Sequence, residues 1–162
     1  MKAGTYFVGD LCYVAEDGTQ FNWCDVYRTT VSGHNVLSGE MKLPNGVYFA
    51  MYTTLYGDGC YNSNTNDEFP VDSGSIGCIE LAYLDMFVVK EAITNGLGVI
   101  VEFENDFETG SDGEGNITIG HVVICTGDLD EDEDDDDYSW DEDEDEDEDD
   151  YSWDEDEDGD DD

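Results

Sequence analysis

Apolar residues in the first 127 positions come in short runs, broken repeatedly by glycine, asparagine and aspartate. Thr5-Tyr6-Phe7-Val8 is rich in strand formers and stops at the turn dipeptide Gly9-Asp10. Leu11-Cys12-Tyr13-Val14 predicts a second strand before the turn at Glu16-Asp17-Gly18. Phe21 to Tyr27 reads either as a short helix or as an irregular strand, and Ser32-Gly33-His34-Asn35 breaks the chain again. Val36 to Leu43 and Val47 to Thr54 flank Pro44-Asn45-Gly46, which predicts a hairpin whose Asn-Gly pair tolerates positive φ at both residues. Leu55 to Gly77 is crowded with Gly, Asn, Asp and Ser and reads mostly as turn and loop, with a strand leaving it at Ile76–Leu81.

Two readings compete for residues 86–95. Asp85 and Gly96 suit the caps of a helix, whereas Val88, Val89 and Ile93 suit a strand; the caps tip the reading towards helix. Gly98 to Glu104 alternates from Ile100, and Asn116–Ile119 is expected to pair with His121–Cys125. Thr109–Gly115 then reads as a long hairpin loop. The pattern of about eight short strands separated by turns predicts a mainly β domain, a sandwich or barrel with little helix.

Charge divides the chain in two. Of its 45 acids, 18 fall in residues 1–127 together with all four bases, Lys2, Arg28, Lys42 and Lys90. Residues 128–162 carry the other 27 acids and no base, so the formal charge is −14 on the body and −27 on the tail. Apart from Leu129, Gly159 and two copies of Tyr-Ser-Trp, every tail residue is Asp or Glu. The two copies are offset by thirteen residues and share their acidic flanks. Such a segment has too little apolar surface to offset the entropy of ordering, so it is expected to be disordered when alone. The boundary predicts a globular domain over 1–127 and an acidic tail over 128–162.

An extended peptide carries one residue per ~3.4 Å, and a nucleic-acid strand one phosphate per ~3.4 Å. A run of Asp and Glu therefore approaches the charge spacing of a single strand, and aromatic rings can fill the pockets that take its bases. Tyr138, Trp140, Tyr151 and Trp153 are the expected partner-binding anchors, with the acids steering association towards a basic protein surface. A nucleic-acid-binding protein is one such partner, and two copies add avidity when both engage. Direct contact with nucleic acid or an anionic membrane is disfavoured, because both are polyanions. Repulsion between tails favours a monomer.

The remaining chemistry is sparse. Five cysteines, Cys12, Cys24, Cys60, Cys78 and Cys125, are widely spaced without a C-x-x-C pair, which reads as free thiols in a reducing cytoplasm. No apolar run approaches the ~18 residues of a membrane span. Asp58 and Asp72 lie in glycine-rich pieces that are candidates to meet at one mouth of the domain, holding a cation or sharing a proton. The plainer alternative has each Asp bonding its own turn. No cofactor is expected beyond weak binding of Ca or Mg. Asn62-x-Asn64-x-Asn66 begins like a calcium loop but has Asp67 at the sixth position and Ser73 at the twelfth; Asp112-x-Glu114-x-Asn116 fits a hairpin loop better. Cys60, beside a Gly-rich turn, would need the fold to bring it to His34 or His121, the only histidines, to form a nucleophile–base pair, and the enzyme alternative, hydrolase-like, rests on Asp58, Asp72 and Cys60.

Four pieces carry a resemblance: V-G-D-x-C-Y-V (Val8–Val14), F-A-M-Y-T-T-x-Y-G-D-G-x-Y (Phe49–Tyr61), V-D-S-G-S-I-G (Val71–Gly77), and E-F-E-N-D-F-E with G-H-V-V-I (Glu102–Glu108, Gly120–Ile124). In these the chain resembles a family of small uncharacterised proteins encoded by bacteria and their phages. The resemblance covers the body and none of the tail. It implies a microbial cytoplasmic protein with a compact β-rich domain, and it brings no reaction, cofactor or catalytic residue.

Overall fold

The computed structural model describes residues 1–127. In chain order the elements are β1 (Gly4–Gly9), α1 (Trp23–Thr30), β2 (Val31–Ser32), β3 (Asn35–Val36), β4 (Gly39–Lys42), β5 (Tyr48–Thr53), β6 (Gly59–Ser63) and β7 (Glu68–Val71). There follow β8 (Ser75–Glu80), α2 (Met86–Thr94), β9 (Gly98–Phe103), β10 (Thr109–Ser111), β11 (Asn116–Ile119) and β12 (Val122–Cys125). Two five-stranded sheets, ordered β4-β5-β8-β1-β9 and β10-β11-β12-β6-β7, make up most of the domain, and β2-β3 form a separate ribbon. Every pairing is antiparallel.

The mainly β prediction holds, and the layers explain its detail. Tyr6, Val8, Ala50, Tyr52, Ile76, Cys78 and Phe103 on the first sheet face Tyr61, Phe69, Val71, Ile117, Ile119, Val122 and Ile124 on the second. The opposite face of the first sheet presents Phe7, Phe49, Met51 and Ile79 to Val26 of α1 and to Val89 and Ala92 of α2. The result is helices on sheet on sheet. Strands β1, β5 and β8 are covered on both faces, which is why their sequences read as continuous apolar runs. Strands β11 and β12 are covered on one face and alternate.

Both helices are set by their caps. The Asn22 side chain accepts from Asp25 N at 3.0 Å and starts α1, which resolves Phe21–Tyr27 in favour of helix. The Asp85 side chain accepts from Phe87 N at 2.8 Å and starts α2, and Gly96 closes it with φ +70. The capping signals therefore outweigh the β-branched residues inside α2.

Four expectations are corrected. Leu11–Tyr13 forms a single 3-10 turn, not a strand, because the Asp10 carboxylate accepts from Cys12 N and curls the chain. The stretch 55–77 is not mostly loop: it contains β6 and β7, with Tyr61, Phe69 and Val71 buried on one face. Thr109–Ser111 belongs to a strand paired with β11, so the hairpin loop shrinks to Asp112–Gly115. The hairpin between β4 and β5 exists as predicted, but Gly46 alone takes the left-handed conformation, at φ +94. Asn45 instead accepts from Val47 N through its side chain, at 3.1 Å.

Glu40 on β4 joins the edges of the two sheets. It accepts hydrogen bonds from Tyr48 at 2.5 Å, from the Met1 ammonium at 3.0 Å, and from Thr109 of β10 at 3.2 Å. Burial pushes its carboxyl upward, but these donors and the ammonium charge outweigh it and hold the group below the ordinary value. A depressed folded value gives stability that is present above the unfolded value of about 4.3 and is lost as pH falls through the folded one. Glu40→Gln is therefore expected to flatten the rise of stability with pH between about pH 3 and 5, read as urea midpoints across that range. Parallel profiles for the two proteins would contradict this role.

Candidate functional site

Three of the sequence pieces singled out above meet at one corner. Asp10, at the end of β1, is fully buried. One of its carboxylate oxygens accepts from the backbone N–H groups of Asp72 at 2.8 Å and Ser73 at 2.7 Å. The other accepts from Cys12 N at 3.0 Å and from the Ser73 hydroxyl at 2.7 Å. Four donors thus satisfy a buried acid that makes no ion pair among the described residues. Tyr13 then donates its hydroxyl to Asp72 Oδ2 at 2.7 Å.

The turn between β7 and β8 is built for this contact. Gly74 adopts φ +73, a region that side chains rarely enter. Thr54 N donates to Gly74 O at 3.0 Å, and the Thr54 hydroxyl donates to Gly57 O at 2.6 Å. The Tyr61 hydroxyl also donates to Gly57 O, at 2.9 Å. The Y-G-D-G piece therefore lies against the D-S-G turn, and both adjoin the G-D-x-C-Y turn.

Asp58 lies near the turn that carries Asp72. Asp58 Oδ1 is 3.9 Å from where a Cβ on Gly74 would stand, two residues after Asp72. Both side chains are exposed. Both charges, with that of Asp10, act on Cys12, whose thiol is raised well above the usual range by burial first and then by the hydrogen bond to Asp10. Burial and the bond to Asp72 likewise raise the Tyr13 phenol. No group of three His, Cys, Asp or Glu side chains suited to a metal ion occurs among the described residues. The Asp72 carboxylate with the Tyr13 phenol bound to it, and Asp58 nearby, is what the structure provides.

The two calcium-like sequences have other uses. Asn62 is in β6, paired with Glu68, and Asn64 and Asn66 lie in the turn of the β6–β7 hairpin, with Asn66 at φ +60. The Asn64 side chain donates to His121 O and accepts from Val123 N, extending the ladder to β12 by two bonds. Asp112 accepts from Glu114 N, Asn116 N and Asn116 Nδ2, so its carboxylate serves its own loop. Those bonds, the Asn116 side chain foremost, lower its pKa.

Cys60 is exposed, but burial and the Glu68 charge push its thiol upward, which favours the protonated form over the nucleophilic thiolate. Neither histidine is hydrogen-bonded to it among the described residues: His34 lies in the turn between β2 and β3, and the His121 ring packs on Phe103 at 5.4 Å. The fourth sequence piece is accounted for by packing. Phe103 stacks on Phe107 at 3.8 Å, Tyr6 meets both rings edge-on, and Gly120 leaves room that a Cβ would fill at 2.4 Å from Phe103.

Beside the Asp72–Ser75 turn lies a feature that sequence reasoning missed, a groove of about 550 Å³ bounded by α1, β3 and β5. Trp23 and Tyr27, one helical turn apart, form its aromatic wall. Their spacing was visible in the sequence, but nothing there placed them opposite Asp72.

The fold and this corner define a two-sheet antiparallel domain, helix-covered on one side, with a largely apolar groove edged by a carboxylate. Compared with protein families, with curated proteins and with solved structures, the chain matches none of them. No helix among the described residues is long and apolar enough to cross a membrane. The expected anchors Tyr138, Trp140, Tyr151 and Trp153 lie outside the described residues.

Proposed function

We propose that the chain is a non-enzymatic interaction protein whose acidic-aromatic tail occupies a basic protein surface. The observation that carries this reading is the repetition of Tyr-Ser-Trp within matching acidic flanks, in a segment with 27 acids among 35 residues. Charge alone would serve solubility; two aromatic cassettes at a fixed offset add shape. A surface evolved to bind a nucleic-acid strand offers both a basic track and base-sized pockets. The sharper form of the proposal is therefore a nucleic-acid mimic that competes for such a surface, acting as a modulator of a nucleic-acid-handling protein in a bacterial or phage setting.

The test is capture of basic nucleic-acid-binding proteins from a bacterial lysate by full-length protein and by protein lacking residues 128–162. Deletion is expected to abolish capture while circular dichroism shows the β-rich body intact, and single-stranded DNA is expected to compete with the full-length protein. Capture that survives the deletion would refute the proposal. Activity located in the body would instead survive the deletion, which separates the enzyme alternative.

A further inference from the structure

The groove beside α1 falls within the ~300–1,000 Å³ range of small-ligand sites. Trp23, Tyr27, Val36 and Met51 give it an apolar and aromatic lining; among the described residues Asp72 is the one carboxylate in it and no Lys, Arg or His lines it. Asp72 Oδ2 holds the Tyr13 hydroxyl, and the carboxylate makes no ion pair among the described residues. Arg28, on the same helix, is directed to Asp25 at 4.0 Å. Asp58 adds a second negative charge at this corner. Tyr27 and Val36 are half exposed, so the aromatic wall is open to a ligand from solvent.

We propose that this groove binds an arginine side chain presented by a peptide or protein. A site with unpaired negative charge and apolar walls selects a cation on an apolar stem. The planar guanidinium fits better than an ammonium, because it stacks on an aromatic face and presents a fork of N–H donors to a carboxylate. Trp23 or Tyr27 supplies the face and Asp72 the acceptor. Electrostatics also sets the occupant apart from the protein's own tail, which carries no base. The site is independent of the tail's role, although a basic partner offers ligands to both.

The experiment is an NMR titration of the full-length protein with N-acetyl-arginine-methylamide at physiological salt, following the indole N–H signals of Trp23, Trp140 and Trp153. The Trp23 signal, assigned with Trp23→Phe, is expected to move saturably. The lysine analogue is expected to bind several-fold more weakly, and the neutral citrulline analogue not at all. Asp72→Asn is expected to weaken arginine binding about tenfold and Tyr27→Ala about fivefold; both positions are exposed, so the fold tolerates the changes. Trp140→Ala with Trp153→Ala is expected to leave the Trp23 response intact. The proposal is overturned by an unmoved Trp23 signal, by equal affinity for arginine and lysine, or by unchanged affinity in both groove variants. Failure of the tail deletion test would leave this result standing, so the two proposals fail separately.

Discussion

Replacing Asp10 with alanine is expected to destabilise the body by about 4 kcal/mol. The carboxylate is fully buried and accepts four hydrogen bonds, three of them from backbone N–H groups on two separate turns. Removing it leaves those part-buried donors without that acceptor, at a cost of up to ~1–3 kcal/mol each before water or relaxation offsets part of it. It also unfastens residues 72 and 73 from residue 10, more than sixty positions away. With a urea slope of about 2 kcal/mol/M the midpoint should fall by about 2 M. Asp10→Asn separates charge and shape from acceptor count. Turned one way, its amide nitrogen meets the N–H groups of Asp72 and Ser73; turned the other, it meets that of Cys12 while the Ser73 hydroxyl can rotate to accept. About half the loss is expected. A midpoint for Asp10→Ala within about 0.3 M of the parent would show that the turns hold each other without the acid.

The second large effect is expected in the tail. Trp140→Ala with Trp153→Ala should weaken capture of a basic partner at least tenfold, measured as a dissociation constant by fluorescence anisotropy with labelled protein. Desolvated aromatic anchors commonly contribute ~2 kcal/mol or more each, whereas surface charges contribute little apiece. The matched control exchanges two tail acids for their amides, which changes the charge from −27 to −25 over the same segment. Its effect should be under about threefold and should shrink as salt rises, since exposed charges are screened within ~8 Å at physiological ionic strength. Equal losses in the two variants would reduce the tail to a charge reservoir and remove the reason for Tyr-Ser-Trp.

Neighbouring residues made much of the domain legible. Asp85 and Gly96 marked α2 because capping is a local hydrogen-bond requirement. The expected pairing of Asn116–Ile119 with His121–Cys125 is present, over Val122–Cys125, because the two runs are neighbours in sequence. Leu55–Gly77 misled because turn residues are dense there, while the few apolar residues that decide the matter, Tyr61, Phe69 and Val71, gain their stability from strands far away in sequence. Leu11–Tyr13 misled for a related reason: strand formers were curled into a turn by one buried side chain. The candidate site divided in the same way. Glycine-rich turn pieces single out Asp58 and Asp72, whereas Gly9-Asp10 reads as an ordinary turn dipeptide and nothing local marks the groove wall on α1.

By itself, then, the sequence determined the β-rich character of residues 1–127, its local hairpins and caps, and the charge and aromatic repeat of residues 128–162. These depend on residue type and short-range spacing. The tertiary structure alone decided which strands share a sheet, that both faces of the first sheet are covered, and that Asp10, Tyr13, Asp72 and Ser73 lock together beside Trp23 and Tyr27. Those facts are contacts between residues tens of positions apart, and they form where burial and hydrogen bonding offset the entropy of closing long loops.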